Sequence, residues 1–347
     1  MTDDIEARFP NLAGNPLAMA MFCTPLRERD MMDEALAMGM AAIAAAPDDM
    51  QVRDLVRAAL SPGVPRWHLP MLNDEARNRC YARAIERMVK PGMLVFEIGS
   101  GAGLLSLLAA RAGAQVVTCE ASAPVAAVAA EVFRRNGMED RITLLRKPST
   151  AVVPEDMPRP ADLLMSELFD DTLFGDDVLT YIADAQKRLL KPGAPILPGQ
   201  AALRCALVEM PARPLHCPLE RVEGFDLSPL NVMVPPSAAD TRVRRGAATL
   251  RSDPASALAV DFAPAGSPGV LQQRVSFRST GGRVDGIAQW LRIDFGDDLI
   301  FDNDPFVSVS HWASRFFAFT KPVETRAGDR IEVDMRVVGT QLLMRLA

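Results

Sequence analysis

Residues 93–103, MLVFEIGSGAG, restrict the possible folds of this chain more than any other stretch. The apolar run reads as a strand buried on both faces. Glycine at every second position from Gly99 to Gly103 then turns the backbone tightly and lets it approach a ligand that a side chain would exclude. LLSLLAARAG continues as a helix that stops at Gly113. The unit then recurs. AQVVTCE is a second strand, PVAAVAAEVFRRNG a second helix closed by Gly137, and RITLLRK and ADLLMSE are further strands. Strands alternating with helices predict an α/β fold with a doubly wound parallel sheet.

The turn has a partner in Glu120, at the end of the second strand, where an acid can hydrogen-bond a ribose diol. Gly-x-Gly-x-Gly with an acid, Glu97, two residues ahead differs from the Gly-x-Gly-x-x-Gly of dinucleotide binders. It resembles motif I of the class I methyltransferases, which bind S-adenosylmethionine. Glu97, Gly99, Gly101, Gly103 and Glu120 are therefore the expected cofactor residues. A tight turn without a ligand is the alternative.

The stretch after the fourth strand, MSELFDDTLFGDD (165–177), holds five carboxylates and two apolar pairs. A solvated loop has no use for the apolar pairs, and a buried loop has none for unpaired carboxylates. A buried cation accounts for both. The loop sits at the carboxyl edge of the sheet, where doubly wound folds bind ligands. Asp170, Asp171 and Asp177 read as solvated acids, whereas Glu167 reads as functional.

Composition removes several classes. Lys and Arg number 38 against 44 Asp and Glu, for a net charge of −6, so no basic face exists for nucleic acid. The five cysteines are scattered without a C-x-x-C pair. This predicts no metal site and no disulfide framework, and a reducing, cytoplasmic location. No long apolar run predicts a membrane span, and the acidic N-terminus does not read as a signal peptide.

Three domains are expected. Residues 1–60 are helical, with MMDEALAMGMAAIAAAP stopping at Pro47 and a second helix capped by Asp48 or Asp49. Ala35, Gly39, Ala42 and Pro47 fall where a tetratricopeptide repeat places small residues and its closing proline; a plain helical hairpin explains the pattern equally. SPGVP marks a boundary, so residues 61–198 form the parallel-sheet domain. Residues 199–347 carry short alternating runs such as ALRCALVEM, QQRVSFRS, AQWLRIDF and RFFAFTKPV, which predict an antiparallel, barrel-like β domain.

SELFDDTLFGD, with Glu167 and Asp176 nine positions apart, resembles the double-glutamate loop of the protein arginine methyltransferases. MLNDEARN (71–78) is similar to that family's Met-Leu-x-Asp-x-x-Arg helix, SHW (310–312) to its Thr-His-Trp loop, and NGMEDRITLLRKPST to its Asn-Gly turn and third strand. RWHLPMLNDEARNRCYARAI is most similar to the branch with tetratricopeptide repeats. The resemblance spans roughly residues 66–347 in conserved motif order. It departs at Asp176, which stands where the family has glutamate, in the missing Tyr-Phe-x-x-Tyr signature, and in having room for one module where eukaryotic members of that branch have two.

The resemblance implies methyl transfer from S-adenosylmethionine to arginine in a protein or peptide. Glu167 and Asp176 would grip the guanidinium, Asp74 would pair with His311, and Arg77 would bind the cofactor's carboxylate. Ser149 would sit near the adenine, and Met71 and Trp312 beside the substrate. It also implies a cis Leu197–Pro198 bond and a homodimer closed by an arm within residues 205–240, unless residues 1–60 take the arm's place. Two other functions remain open: methylation of a small guanidine or amine metabolite, and a non-catalytic scaffold.

Overall fold

A computed structural model of the chain describes residues 2–62, 64–212, 218–233, 237–239, 243, 246–262 and 271–347. The N-terminal helices are α1 (Thr2–Arg8), α2 (Pro16–Arg27), α3 (Met32–Ala45) and α4 (Met50–Leu60). Asp49 caps α4, its Oδ1 accepting from the N–H groups of Gln51 and Val52 at 2.8 and 3.2 Å. Ala35 and Ala42 are fully buried. A Cβ on Gly39 would stand 2.8 Å from Val56 Cγ1, so only glycine lets α3 approach α4 this closely. These helices share a core with Ala127, which places them on the outer face of a helix of the next domain.

That domain opens with α5 (His68–Leu72) and α6 (Glu75–Met88). Its strands are β1 (Leu94–Ile98), β2 (Gln115–Cys119), β3 (Ile142–Leu145), β4 (Leu163–Ser166) and β5 (Ile196–Leu197), interleaved with α7 (Leu104–Arg111), α8 (Ala123–Arg135) and α9 (Val178–Arg188). The sheet order is β3-β2-β1-β4-β5, parallel throughout. Strand order reverses at β1, so the crevice for a ligand opens above the carboxyl ends of β1 and β4. Every residue of β1 and β4 is buried, as a strand covered on both faces requires. The bond Leu197–Pro198 is cis and leads into the second sheet.

The C-terminal part is an eight-stranded antiparallel sheet. It contains β6 (Gln200–Glu209), β9 (Ser237–Ala239), β10 (Thr249–Leu250), β11 (Ala255–Asp261), β12 (Gln272–Asp294), β13 (Ile300–Asp302), β14 (Arg315–Val338) and β15 (Gln341–Leu346). Its backbone path is β10-β6-β12-β14-β15. The runs QQRVSFRS and AQWLRIDF, read above as separate strands, are one 23-residue strand, β12. Its ladder with β14 shifts register between Arg278 and Thr280 and between Val284 and Gly286. Gly281 and Gly282 adopt φ of +91° and +99°, yet the ladder stays in register across them, Thr280 opposite Ala327 and Gly282 opposite Thr325, so this turn signal does not end the strand. A small hairpin, β7 (Arg221–Val222) and β8 (Phe225–Asp226), projects between β6 and β9. Part of the candidate arm, residues 213–217, 234–236 and 240, lies outside the described residues, Cys217 among them.

The main core is continuous across the two sheets and includes Phe169, Phe262 and Trp312. Among the described residues no helix is long and apolar enough to cross a membrane, and no cluster could hold a metal ion.

Candidate active site

Above the crevice lies a cavity of about 330 Å³. The turn after β1 forms its floor, and the three glycines there have different tasks. All have positive φ, +77°, +51° and +91°. A Cβ on Gly103 would fall 2.3 Å from the Phe133 ring, so this glycine serves helix packing. One on Gly99 would press on Leu168 Cδ2 at 3.0 Å, which joins the turn to the acidic loop. One on Gly101 would point into the cavity, with nothing nearer than His68 Nε2 at 3.7 Å. The Glu120 carboxylate accepts from the N–H groups of Gly101 at 3.1 Å and Ser122 at 2.9 Å and so lies along the same wall. Ser149 and Met71 also line the cavity. A cradle open only at Gly101, an acid at the strand end and a largely apolar wall fit an adenosyl group.

Glu97 lines the same cavity but is only 1% exposed. Its Oε2 accepts from Thr118 Oγ1 at 3.0 Å and from Ser106 Oγ. Burial pushes its carboxyl up to about 7, against the pull of those two hydroxyls. It ties β1 to β2 and α7, so its first partners are protein groups rather than a ligand.

At the other end of the cavity three distant segments meet. Asp74 caps α6, its Oδ1 accepting from the Arg77 N–H at 3.1 Å. Its Oδ2 accepts from Ser310 Oγ at 2.8 Å and from the His311 N–H at 3.1 Å, and lies 3.0 Å from His311 Nδ1. Burial alone would raise the Asp74 carboxyl, but the His311 ring and these backbone and hydroxyl donors outweigh it and hold it well below the usual carboxylate range. The other ring nitrogen, Nε2, stands 4.0 Å from Glu167 Oε1. Arg77 donates from Nε to Glu167 Oε1 at 2.9 Å, its Nη2 pairs with Glu167 Oε2, and the two side chains are 3% and 6% exposed. The Arg77 guanidinium also lies 4.8 Å from the centre of the Tyr81 ring. Sequence reasoning set Arg77 and Glu167 on different ligands and did not foresee this pair.

The structure therefore gathers Met71, Arg77, Glu97, Gly99, Gly101, Glu120, Ser149 and Glu167 around one cavity, with Asp74 and His311 behind Glu167. Gly103 stands behind the turn. Asp176 lies in a short 3₁₀ turn (Gly175–Asp177), but its side chain is outside the described residues. Trp312 does not line the cavity. It is 6% exposed, packs in the core with its ring tilted at 59° to that of Phe301, 5.6 Å away, and donates from Nε1 to Phe169 O at 2.9 Å. Two aspartates read as solvated are not. Asp170 accepts from the Thr172 and Gly175 N–H groups at 2.9 and 3.0 Å and folds the loop, and Asp171 pairs with Arg315 at 3.1 Å. An aspartate two positions before a threonine in a loop carries an Asx-turn signal that could have identified Asp170; Arg315 lies too far along the chain to have revealed Asp171. His68, Lys147 and Tyr181 also line the cavity and were missed. Trp67 stacks on His68 at 4.2 Å, aromatic cover that no short motif announces.

A family model described as ribosomal protein L11 methyltransferase (PrmA) matches residues 79–197. An arginine N(omega)-methyltransferase of Streptomyces achromogenes subsp. streptozoticus is 36% identical over 272 residues, which are 77% of this chain and 75% of that protein. Protein arginine N-methyltransferase 7 of Oryza sativa subsp. indica is 40% identical over 153 residues, and that of Aedes aegypti 42% over 151. Each match covers 41% of this chain but only 21% and 22% of those longer relatives. Among solved structures, the Trypanosoma brucei PRMT1 enzyme-prozyme heterotetrameric complex with AdoHcy superposes with a TM-score of 0.69 at 23% identity, over 80% of this chain and 89% of that one. Arabidopsis thaliana protein arginine methyltransferase 10 does so with a TM-score of 0.64 at 17% identity, over 77% and 86%. At such identities the structures establish the fold.

Proposed function

The chain belongs to the arginine N-methyltransferase family, and from that premise we propose that it transfers a methyl group from S-adenosylmethionine to a guanidinium nitrogen of arginine in a protein or peptide. The observation that carries this reading is the convergence of Glu167, Arg77 and the Asp74–His311 pair at the end of a cavity whose floor is the glycine turn.

S-adenosylmethionine supplies a methyl carbon made electrophilic by its sulfonium. Glu120 holds the ribose, Ser149 lies on the adenine side, and Arg77 receives the cofactor's carboxylate. In the structure Arg77 grips Glu167. When it turns to the cofactor, Glu167 is left facing a guanidinium from the acceptor in place of that of Arg77. The acceptor guanidinium is always protonated and a poor nucleophile. Glu167 on one side and Asp176 on the other localise its charge and free one nitrogen lone pair. At an effective dielectric near 20, a charge pair at 4 Å is worth roughly 4 kcal/mol, enough to orient the group. When that nitrogen takes the methyl group, the methyl–sulfur bond breaks, the cofactor leaves as S-adenosylhomocysteine, and the nitrogen gives up one proton. Glu167 takes it, and His311, held by Asp74 through Nδ1, stands 4.0 Å behind to pass it on. Met71 shapes the channel, and Trp312 acts through the Phe169 carbonyl that it holds.

Residues 1–60 read as a tetratricopeptide-like unit ahead of the methyltransferase module of a cytoplasmic enzyme, with Ala35, Gly39 and Ala42 buried where its helices meet. Two apolar features support a homodimer. Phe225, Val232 and Met233 on the candidate arm are 72%, 88% and 80% exposed, and a cavity of about 210 Å³ lined by Leu60, Val64, Leu69, Leu72 and Val128 lies between the N-terminal helices and the parallel-sheet domain. An arm from a second copy fills that cavity; light scattering at micromolar concentration checks this.

Incubation with isotopically labelled S-adenosylmethionine and a host-cell extract should label arginine in protein, read by mass spectrometry. Label confined to small molecules would favour the metabolite reading. In calorimetry, S-adenosylhomocysteine should bind, and Gly101→Val or Glu120→Ala should weaken it about tenfold. Tighter binding of NAD would sink the proposal.

A further inference from the structure

The acidic loop leaves β4 at Glu167 and enters α9 at Val178, and the second sheet grips it midway. Trp312 Nε1 donates to the Phe169 carbonyl at 2.9 Å. Gln289 Nε2 donates to the Asp171 carbonyl at 2.9 Å. Arg315 Nη1 donates to both oxygens of the Asp171 carboxylate, at 3.1 and 3.2 Å. Gln289 and Arg315 face each other across the β12–β14 ladder, so two opposed donors of one sheet converge on one residue of the loop. Gln289 is fully buried and its Oε1 has no partner. A buried amide with one bond made and one left open is costly, so the bond to Asp171 is the reason for glutamine there. Asp171 and Arg315 are 20% and 22% exposed at the side chain, where a charge left alone is also costly.

Asp171 lies between Glu167 and Asp176 in sequence, and Asp170 has already folded the loop around Thr172 and Gly175. A stiff loop held at its middle moves as a unit, so a shift at Asp171 displaces the acids on both sides. We infer that Gln289 and Arg315 are positioning residues, a clamp from the β domain that fixes where the loop presents Glu167 and Asp176 to the acceptor nitrogen. The inference rests on the methyl-transfer reading above. It assigns to the second sheet a part in the choice of product as well as in packing. The glycine turn, Glu120 and Ser149 follow β1, β2 and β3, whereas the gripped loop follows β4, so the clamp should act on the acceptor more than on the cofactor.

The test uses the full chain with Arg315→Met, Arg315→Lys, Asp171→Asn and the Arg315→Met/Asp171→Asn double variant. In cofactor-free protein, hydrogen exchange of amides 168–177 should quicken at least tenfold in Arg315→Met and recover in Arg315→Lys. In turnover, Arg315→Met should lower kcat about tenfold and change the ratio of monomethyl to dimethyl product, while the Kd for S-adenosylhomocysteine stays within threefold. The double variant should be no worse than Arg315→Met, because both remove one contact. Unchanged exchange overturns the clamp whatever the activity. Faster exchange with unchanged kcat and product ratio, or equal losses in kcat, cofactor affinity and melting temperature, reduces the contact to packing and also overturns it. If the parent methylates no acceptor, the function reading fails, and the exchange measurement still judges the clamp.

Discussion

The glycine-rich wall of the cavity and its acidic end are assembled in opposite ways. Gly101 and Glu120 are 19 positions apart and joined by one hydrogen bond, and Glu97 reaches Ser106 and Thr118 over 9 and 21 positions. At the acidic end Arg77 meets Glu167 over 90 positions and Asp74 meets His311 over 237. A wall built from one strand-turn-helix-strand unit keeps its geometry wherever that unit folds. An end built from three segments depends on the docking of the two sheets. Binding of the cofactor and activation of the acceptor should therefore respond differently to the same kind of substitution.

The largest separation is expected at Glu167. Glu167→Gln should lower turnover by about 10²–10³-fold, the usual cost of removing one preorganised electrostatic partner, and leave the Kd for S-adenosylhomocysteine unchanged or lower, since Arg77 no longer gives up a charged partner to reach the cofactor. A matching loss of cofactor affinity would break the comparison. Asp176→Asn should cost less, because aspartate is one methylene shorter than glutamate and grips less firmly. Asp176→Glu should keep activity and alter the ratio of monomethyl to dimethyl product. If product analysis shows no change, and Asp176→Asn matches the parent, Asp176 plays no part.

Arg77 is the residue on which the two ends meet, and it sharpens the contrast. It lines the cavity and is bonded to Glu167. Arg77→Met should weaken S-adenosylhomocysteine binding and lower kcat, each about tenfold or more, since removing one partner strands a buried charge. A variant that loses only one of the two functions would place Arg77 wholly at one end.

The same contrast explains what the sequence revealed. The strands and helices of residues 93–188 could be read because each is short-range: an apolar run, a glycine, an amphipathic face. The task of each glycine could not, because it depends on Phe133, Leu168 or open space on the other side of the Cβ. At the acidic end the residue types were legible through the motifs they sit in, but their pairings were not. Nothing local to Asp171 announces Arg315, 144 positions on, and nothing local to Trp312 distinguishes a channel wall from a support for Phe169. The long strands β12 and β14 were read as pieces for a related reason. Gly281, Gly282 and Gly328 look like turns until the partner strand continues past them.

The smallest expected effect lies in the wall and concerns Glu97. Its carboxyl is shifted from an ordinary 4.5 to about 7, first by burial, with Ser106 and Thr118 opposing. Between these values the folded protein holds a proton that the unfolded chain has released. Stability from this group is thus present below about pH 4.5, declines as pH rises, and is exhausted above about 7, a change on the order of 3 kcal/mol. Asp74 does not mask it. A depressed carboxyl contributes fully above its unfolded value and loses that contribution only in stronger acid. Glu97→Gln keeps an amide oxygen for the two hydroxyls and never ionises. The variant should therefore melt near or below the parent at pH 5, gain on it up to about pH 7 and level off by pH 8, with cofactor affinity changed little because its bonds are to protein. Parallel melting curves across that range would mean that water reaches Glu97 and that the wall is wetter than its burial indicates. A tenfold loss of cofactor affinity in the same variant would instead make Glu97 a direct ligand residue and place it beside Glu120.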